Sequence, residues 1–233
     1  MEKKFSIRVL AEVAIFAAIA FALDLIQSSL FGKVWVNGGS IGIAMVPIFV
    51  IAYRRGLLAG LLCGFIVSIV QMLGGVYVFQ GKTFDNKFME VMGPFFQISL
   101  DYILAYTVVG FAGLFYGMYH NSNSTSKKLL AIILGCLLGG TLKFLCHFMA
   151  GGFFWLDGYT KFMGLYSDSW LYSFVYNGTC VFPSTILSVV IMVIIAKFYE
   201  HLLLHDKNEA DLNYEEVNET ENNISEVSNN EQE

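Results

Sequence analysis

Charge is scarce in this sequence, and so is proline. Asp, Glu, Lys and Arg make up 14% of the 233 residues, and there are three prolines. Hydrophobic residues reach 56%, phenylalanine alone accounts for 21, and mean hydropathy is +0.60. Soluble domains carry about 25% charged residues, so this composition excludes an ordinary soluble fold. The four cysteines (Cys63, Cys136, Cys146, Cys180) are scattered through apolar runs without paired spacing. That excludes a disulfide framework and a cysteine-based zinc site, and they read as small buried hydrophobes. Also missing are G-x-x-x-x-G-K-[ST] and H-E-x-x-H. The chain is therefore expected to hydrolyse no ATP by a P-loop and to be no enzyme; no cofactor, metal or nucleic-acid partner is expected.

The acidity that is present is concentrated at one end. Ten Asp/Glu and one Lys follow His205, so the first 205 residues carry a net charge of +4 within a total of −5. The segment 205–233 is rich in Asn and Glu and cannot bury enough apolar surface to offset its ordering entropy; it reads as a disordered acidic tail. Residues 1–204 form the remaining domain. The start, MEKKFSIRVLAEVAIFAAIAFALDLI, has a basic head and a long apolar run but no clear small-x-small cleavage site, so it reads as a retained first helix rather than a signal peptide.

Apolar segments that could cross a bilayer, which takes roughly 20 residues each, fall at 8–30, 39–53, 56–74, 91–118, 129–151 and 169–199. The expected fold is an all-α membrane protein, a bundle of six transmembrane helices. The second segment is short and holds Pro47, so it tilts or breaks; five spans is the alternative if it only lies in the interface. Six spans put both termini on one side with nine Lys/Arg, including the Arg54-Arg55 turn, against four on the other. The excess of positive charge places both termini in the cytoplasm. Loops 31–38, 75–90 and 152–168 then face outside, carrying Trp35, Tyr77 and Trp155.

Small residues recur four apart: Ala14 and Ala18 in the first helix, Gly56, Gly60 and Gly64 in the third, Gly135 and Gly139 in the fifth. Such stripes allow close helix approach in lipid. For the third and fifth helices packing within the chain is expected; the Ala14–Ala18 stripe could equally dock a second protein. Polar groups at membrane depth are costly and usually face the bundle interior or a wet cavity. Asp24 near the outer part of the first helix either caps or reaches the interface, or faces the bundle interior or a cavity. Gln97 and Asp101 lie four apart, with Tyr102 adjacent. Lys143, His147 and Gly151 share one helix face, as do Ser173 and Asn177, with Tyr172 alongside. A structural Asp101–Lys143 ion pair is one reading. The other is a pocket, since a carboxylate, an imidazole, an amide and several aromatics fall at one depth in the outer half. Aromatic faces with a carboxylate suit a flat cation. The Gly151-Gly152 pair is expected to break the helix and bring Trp155 over the ligand.

The runs GGSIGIAMVPIFVIAYRRGLLAGLLCG (38–64), LDYILAYTVVGFAGLF (100–115), CHFMAGGFFW (146–155) and WLYSFVYNGTCVFPS (170–184) carry a resemblance. Over roughly residues 8–200 the chain resembles the thiamine-specific S-component family, ThiT, of energy-coupling factor (ECF) transporters. The resemblance implies a multi-pass protein of the bacterial cell membrane that binds thiamine near its outer face and has no catalytic role. It implies that Asp101 and Tyr102 contact the vitamin, together with His147 and Gly151 of H-F-x-x-G. Trp155, Tyr172, Asn177, Trp35 and Tyr77 are implied as further contacts. The implied partners are a transmembrane coupling subunit and two ABC-type ATPases, with Ala14 and Ala18 as the docking stripe. A stand-alone proton-coupled carrier using Asp101 and His147 as a relay is the alternative; no internal repeat of the kind many such carriers show is evident.

Overall fold

A computed structural model describes residues 6–31, 39–79, 84–155 and 169–204. Trp35 and the acidic segment lie outside the described residues. Within them every regular element is helical. The main helices are α1 (Ile7–Phe31), α2 (Val46–Arg55), α3 (Leu57–Leu73), α4 (Lys87–His120), α5 (Thr125–Phe154) and α6 (Ser169–Phe198). A short 3-10 turn, Glu200–Leu202, follows α6. Among the described residues, α1, α4, α5 and α6 are each long and apolar enough to cross a membrane, and α3 is a shorter apolar helix of 17 residues. Large apolar side chains on their outer faces, such as Ile15, Phe65, Leu134 and Ile186, are exposed, as lipid contact requires.

The second apolar segment departs from its expected extent of 39–53. Helix α2 begins only at Val46, and Pro47 sits in its first turn, where a missing N–H costs nothing. Its ten residues span about 15 Å, half of a bilayer core. Val46 to Tyr53 are all buried, so α2 is wrapped by the rest of the bundle. Residues 39–45 before it are non-helical. Their backbone groups are met by side chains from distant helices: Gly39 N–H donates to the Tyr176 hydroxyl (3.2 Å), Gly42 N–H to Ser184 (3.1 Å) and Ala44 N–H to Gln27 Oε1 (3.2 Å). Irregular backbone survives at membrane depth only where protein or a cavity supplies such partners.

Helix α4 is the other irregular element. Pro94 sits inside its α-helical first part, Lys87–Ile98; the chain then widens into a π-helical stretch, Ser99–Leu104, and tightens into a 3-10 stretch, Val108–Phe115. The tight stretch is clamped between α3 and α5. Gly110 lies directly on the backbone of Gly60 and Leu61, and Gly139 of α5 lies on Val109. The glycines of α3 and α5 thus serve packing within the chain, as expected. In contrast, Ala14 and Ala18 are exposed on α1.

One end of the bundle is stitched by charge. Glu12 of α1 accepts from Arg54 Nε (3.0 Å) and from Arg55 Nε and Nη2 (2.7 and 2.9 Å) at the α2–α3 turn. Gly56 makes that turn with a φ of 89°, which favours glycine. Arg54 also donates to the carbonyls of His201, Leu202 and Leu204, and Leu203 is buried in the core. Lys128 bridges to Glu200 at 2.7 Å.

The Gly60–Gly110 contact yields a test. A valine at Gly110 must push α3 off α4, because its Cβ meets backbone rather than a movable side chain. Gly110→Val is expected to lower stability by about 1–3 kcal/mol, read as a fall in melting temperature in detergent. Gly117→Ala, whose added methyl meets only Asn121 Nδ2 at 3.8 Å, should leave it unchanged or slightly raised.

Candidate ligand-binding site

At the end of the bundle opposite the Arg54–Arg55 turn lies a cavity of about 570 Å³. Its walls come from α1, α3, α4, α5 and α6, the irregular segment 39–45 and the segment that follows α3. Asp101 stands in the π-helical stretch of α4. Widening of this kind shifts the phase of the residues that follow and recurs at functional sites.

The Asp101 carboxylate gathers donors from its own helix α4, from α5 and from the residue that ends α5. Trp155 Nε1 donates to Oδ2 at 2.6 Å, Gln97 Nε2 donates to the same oxygen at 2.9 Å, and His147 Nδ1 lies 3.1 Å from Oδ1. Gln97 is fully buried and also donates to the Tyr77 carbonyl at 3.2 Å, while Tyr77 N–H donates to the Tyr102 hydroxyl at 2.7 Å. The backbone of Tyr77 is therefore gripped on both sides by α4, which leaves its exposed ring at the cavity. On the opposite wall Asn177 donates to the His147 carbonyl (3.2 Å) and to Ser173 Oγ (3.1 Å), locking α6 to α5 beside the imidazole. The Tyr172 and Tyr176 rings stack at 5.7 Å between centroids, forming an aromatic surface on α6.

Two expectations are corrected here. Asp101 and Lys143 form no ion pair. Opposite charges within the spans suggested one, but Lys143 turns the other way and places Nζ 3.4 Å from the centre of the Tyr106 ring. The hydroxyl of that ring donates in turn to Asp24. Asp24 is buried, neither a cap nor an interfacial group, and accepts from Tyr106 Oη (2.6 Å), Gln27 Nε2 (2.9 Å) and Gln71 Nε2 (2.8 Å). The second correction concerns Gly151 and Gly152. The helix runs through them to Phe154 and only then reaches Trp155. Their lack of side chains instead admits Ser173 and the Trp170 ring of α6 against α5.

Of the expected site residues, Tyr77, Asp101, Tyr102, His147, Gly151, Trp155, Tyr172 and Asn177 all line this one cavity. Trp35 lies outside the described residues. Ala14 and Ala18 are not part of it. Gln27, Gln71, Tyr106, Tyr176 and Ser184 also line it and were not singled out from sequence. The four-residue step from Tyr102 to Tyr106 and the three-residue step from Asp24 to Gln27 were visible signals for two of them.

The thiamine transporter protein family model (Thia_YuaJ) matches residues 10–204. The chain belongs to this family. It is 29% identical over 201 residues to the thiamine transporter ThiT of Bacillus subtilis strain 168, covering 85% of this chain and 95% of that one. It is also 29% identical over 204 residues to ThiT of Lacticaseibacillus paracasei, covering 82% and 88%. The solved structure of ThiT from Listeria monocytogenes superposes with a TM-score of 0.66 at 28% identity, covering 84% of this chain and 97% of that chain. The family is one of transport proteins, not enzymes, and with the long apolar helices it makes this a multi-pass bacterial membrane protein.

Asp101 holds its surroundings together by accepting from three side chains, so its removal has a structural cost. Asp101→Ala leaves Trp155, Gln97 and His147 without their acceptor and is expected to destabilise the unliganded protein by about 1–3 kcal/mol in a thermal melt. Asp101→Asn keeps one acceptor oxygen and should cost less.

Proposed function

We propose that this chain is the substrate-capture subunit of an ECF transporter, taking thiamine from the extracellular side for ATP-driven uptake. The observation that carries the reading is the convergence of Asp101, His147 and Trp155 at one cavity, in a chain of the thiamine transporter family. Thiamine joins a permanently positive thiazolium to a flat aminopyrimidine with donor and acceptor edges. Asp101 supplies the negative charge, and the rings of Trp155, Tyr77 and Tyr172 supply faces for stacking and cation–π contact. His147, Asn177 and Tyr102 offer directional polar groups, and Gly151 leaves room beside them. The family resemblance adds Trp35, which lies outside the described residues.

In this reading six helices cross the membrane and both termini are cytoplasmic. Support comes from the Lys/Arg excess at the end stitched by Glu12, Arg54 and Arg55, and from the cavity at the other end. α2 reaches its side of the membrane with the help of the non-helical stretch 39–45. Energy is supplied by two ABC-type ATPases through a transmembrane coupling subunit, which docks on the Ala14–Ala18 face of α1. Both alanines are exposed, and large apolar neighbours such as Ile15 and Ile19 are exposed beside them.

Titrating purified, detergent-solubilised protein with thiamine, without any ATPase, should quench tryptophan fluorescence saturably. Trp155→Ala should abolish most of the signal, and Asp101→Asn should weaken affinity at least about tenfold. Absence of any response to thiamine would reject the ligand. The 3.1 Å His147–Asp101 contact also suits a proton relay; uptake by the chain alone in liposomes, driven by a pH gradient, would favour that carrier reading instead. Ala14→Trp should abolish uptake in cells while leaving the fluorescence titration unchanged; equal loss of both would make the stripe internal packing.

A further inference from the structure

The cavity has a second charged unit, well away from the Asp101 cluster in its bonding. Lys143 is nine-tenths buried, lines the cavity, and makes no hydrogen bond or ion pair among the described residues. Its Nζ rests on the face of Tyr106. The Tyr106 hydroxyl donates to Asp24, which α1 and α3 hold from two further sides through Gln27 and Gln71. Tyr106 thus stands between an ammonium and a carboxylate, offering its negative face to one and its hydroxyl proton to the other. A buried ammonium facing a cavity would repel a cationic ligand, and burial makes that repulsion long-ranged.

From this arrangement we infer that Asp24, acting through Tyr106, neutralises Lys143 and so sets the preference of the cavity for a cationic over a neutral ligand. Asp24 is a positioning and charge-balancing residue; it need not touch the ligand. With Asp24 in place, the cavity holds two carboxylates against one lysine ammonium, which leaves Asp101 free to act on the ligand's charge. Without Asp24, Lys143 cancels Asp101 and the electrostatic advantage of a cation disappears. In Asp24→Asn, Tyr106 and Gln27 can still donate to the remaining oxygen, and Gln71 can accept from the new NH2 by turning its own amide over, so charge changes with little change of shape.

This inference deepens the thiamine reading and rests on it. The experiment compares the affinities of thiamine and of an isosteric analogue whose thiazolium nitrogen is replaced by carbon, giving a neutral ring. Wild type should prefer thiamine. Asp24→Asn should shrink that preference by roughly tenfold or more, Asp24→Glu should retain it, and Asp24→Asn with Lys143→Met should restore it. Equal weakening of both ligands in Asp24→Asn, or no recovery in the double variant, would reduce Asp24 to a structural role and overturn the inference. If the wild type bound neither compound, the thiamine reading itself would fall.

Discussion

A carboxylate within a membrane helix has to find its donors inside the protein, and Asp101 does so by drawing three parts of the bundle together. Trp155 comes from the end of α5, His147 from two turns earlier on the same helix, and Gln97 from α4 itself. The geometry of the cavity follows from that demand. Trp155 is held at the rim because its indole N–H is bonded, and Gln97 reaches on to the Tyr77 carbonyl and fixes the segment after α3. An exposed carboxylate would need none of this; a buried one without it would be neutral or unfolded. Structural necessity and charge recognition are thus met by the same oxygen atoms.

The two ends of the bundle obey the same rule with different consequences. At one end Glu12, Arg54, Arg55 and the carbonyls after α6 satisfy each other closely, tying α1 to the α2–α3 turn and the C-terminal 3-10 turn. At the other end the polar groups are bonded sideways, along the walls, and leave a cavity between them. Between the ends, the glycines of α3, α4 and α5 bring backbones into contact, so the middle of the bundle is closely packed. Helix α1 belongs to both ends: Glu12 anchors one half, Asp24 lines the cavity from the other, and the exposed Ala14–Ala18 face lies between.

Much of this was legible in the sequence because helix periodicity places residues four apart on one face. His147 and Gly151 meet at the cavity for that reason, as do Ser173 and Asn177, and the long apolar runs mark α1, α4, α5 and α6. What periodicity could not show were departures from 3.6 residues per turn. The π-helical stretch that carries Asp101 and Tyr102, the 3-10 stretch after it and the irregular backbone of 39–45 are held by contacts from distant helices. Pairing of charges was equally hidden. Opposite sign made Asp101 and Lys143 look like partners, but direction decides, and Tyr106 with Asp24 captures the lysine. Gly151-Gly152 looked like a helix break because glycine is a poor helix former, yet close packing against Ser173 and Trp170 uses the same absence of a side chain.

The central claim is that the cavity around Asp101 is where thiamine is held. The most direct measurement is a crystal structure of the detergent-solubilised protein grown with saturating thiamine. The account predicts difference density for both rings inside the cavity, with the Trp155 ring against one of them and a ligand atom or the thiazolium charge in contact with Asp101. Density for thiamine at any other place, with this cavity holding only solvent, would contradict it.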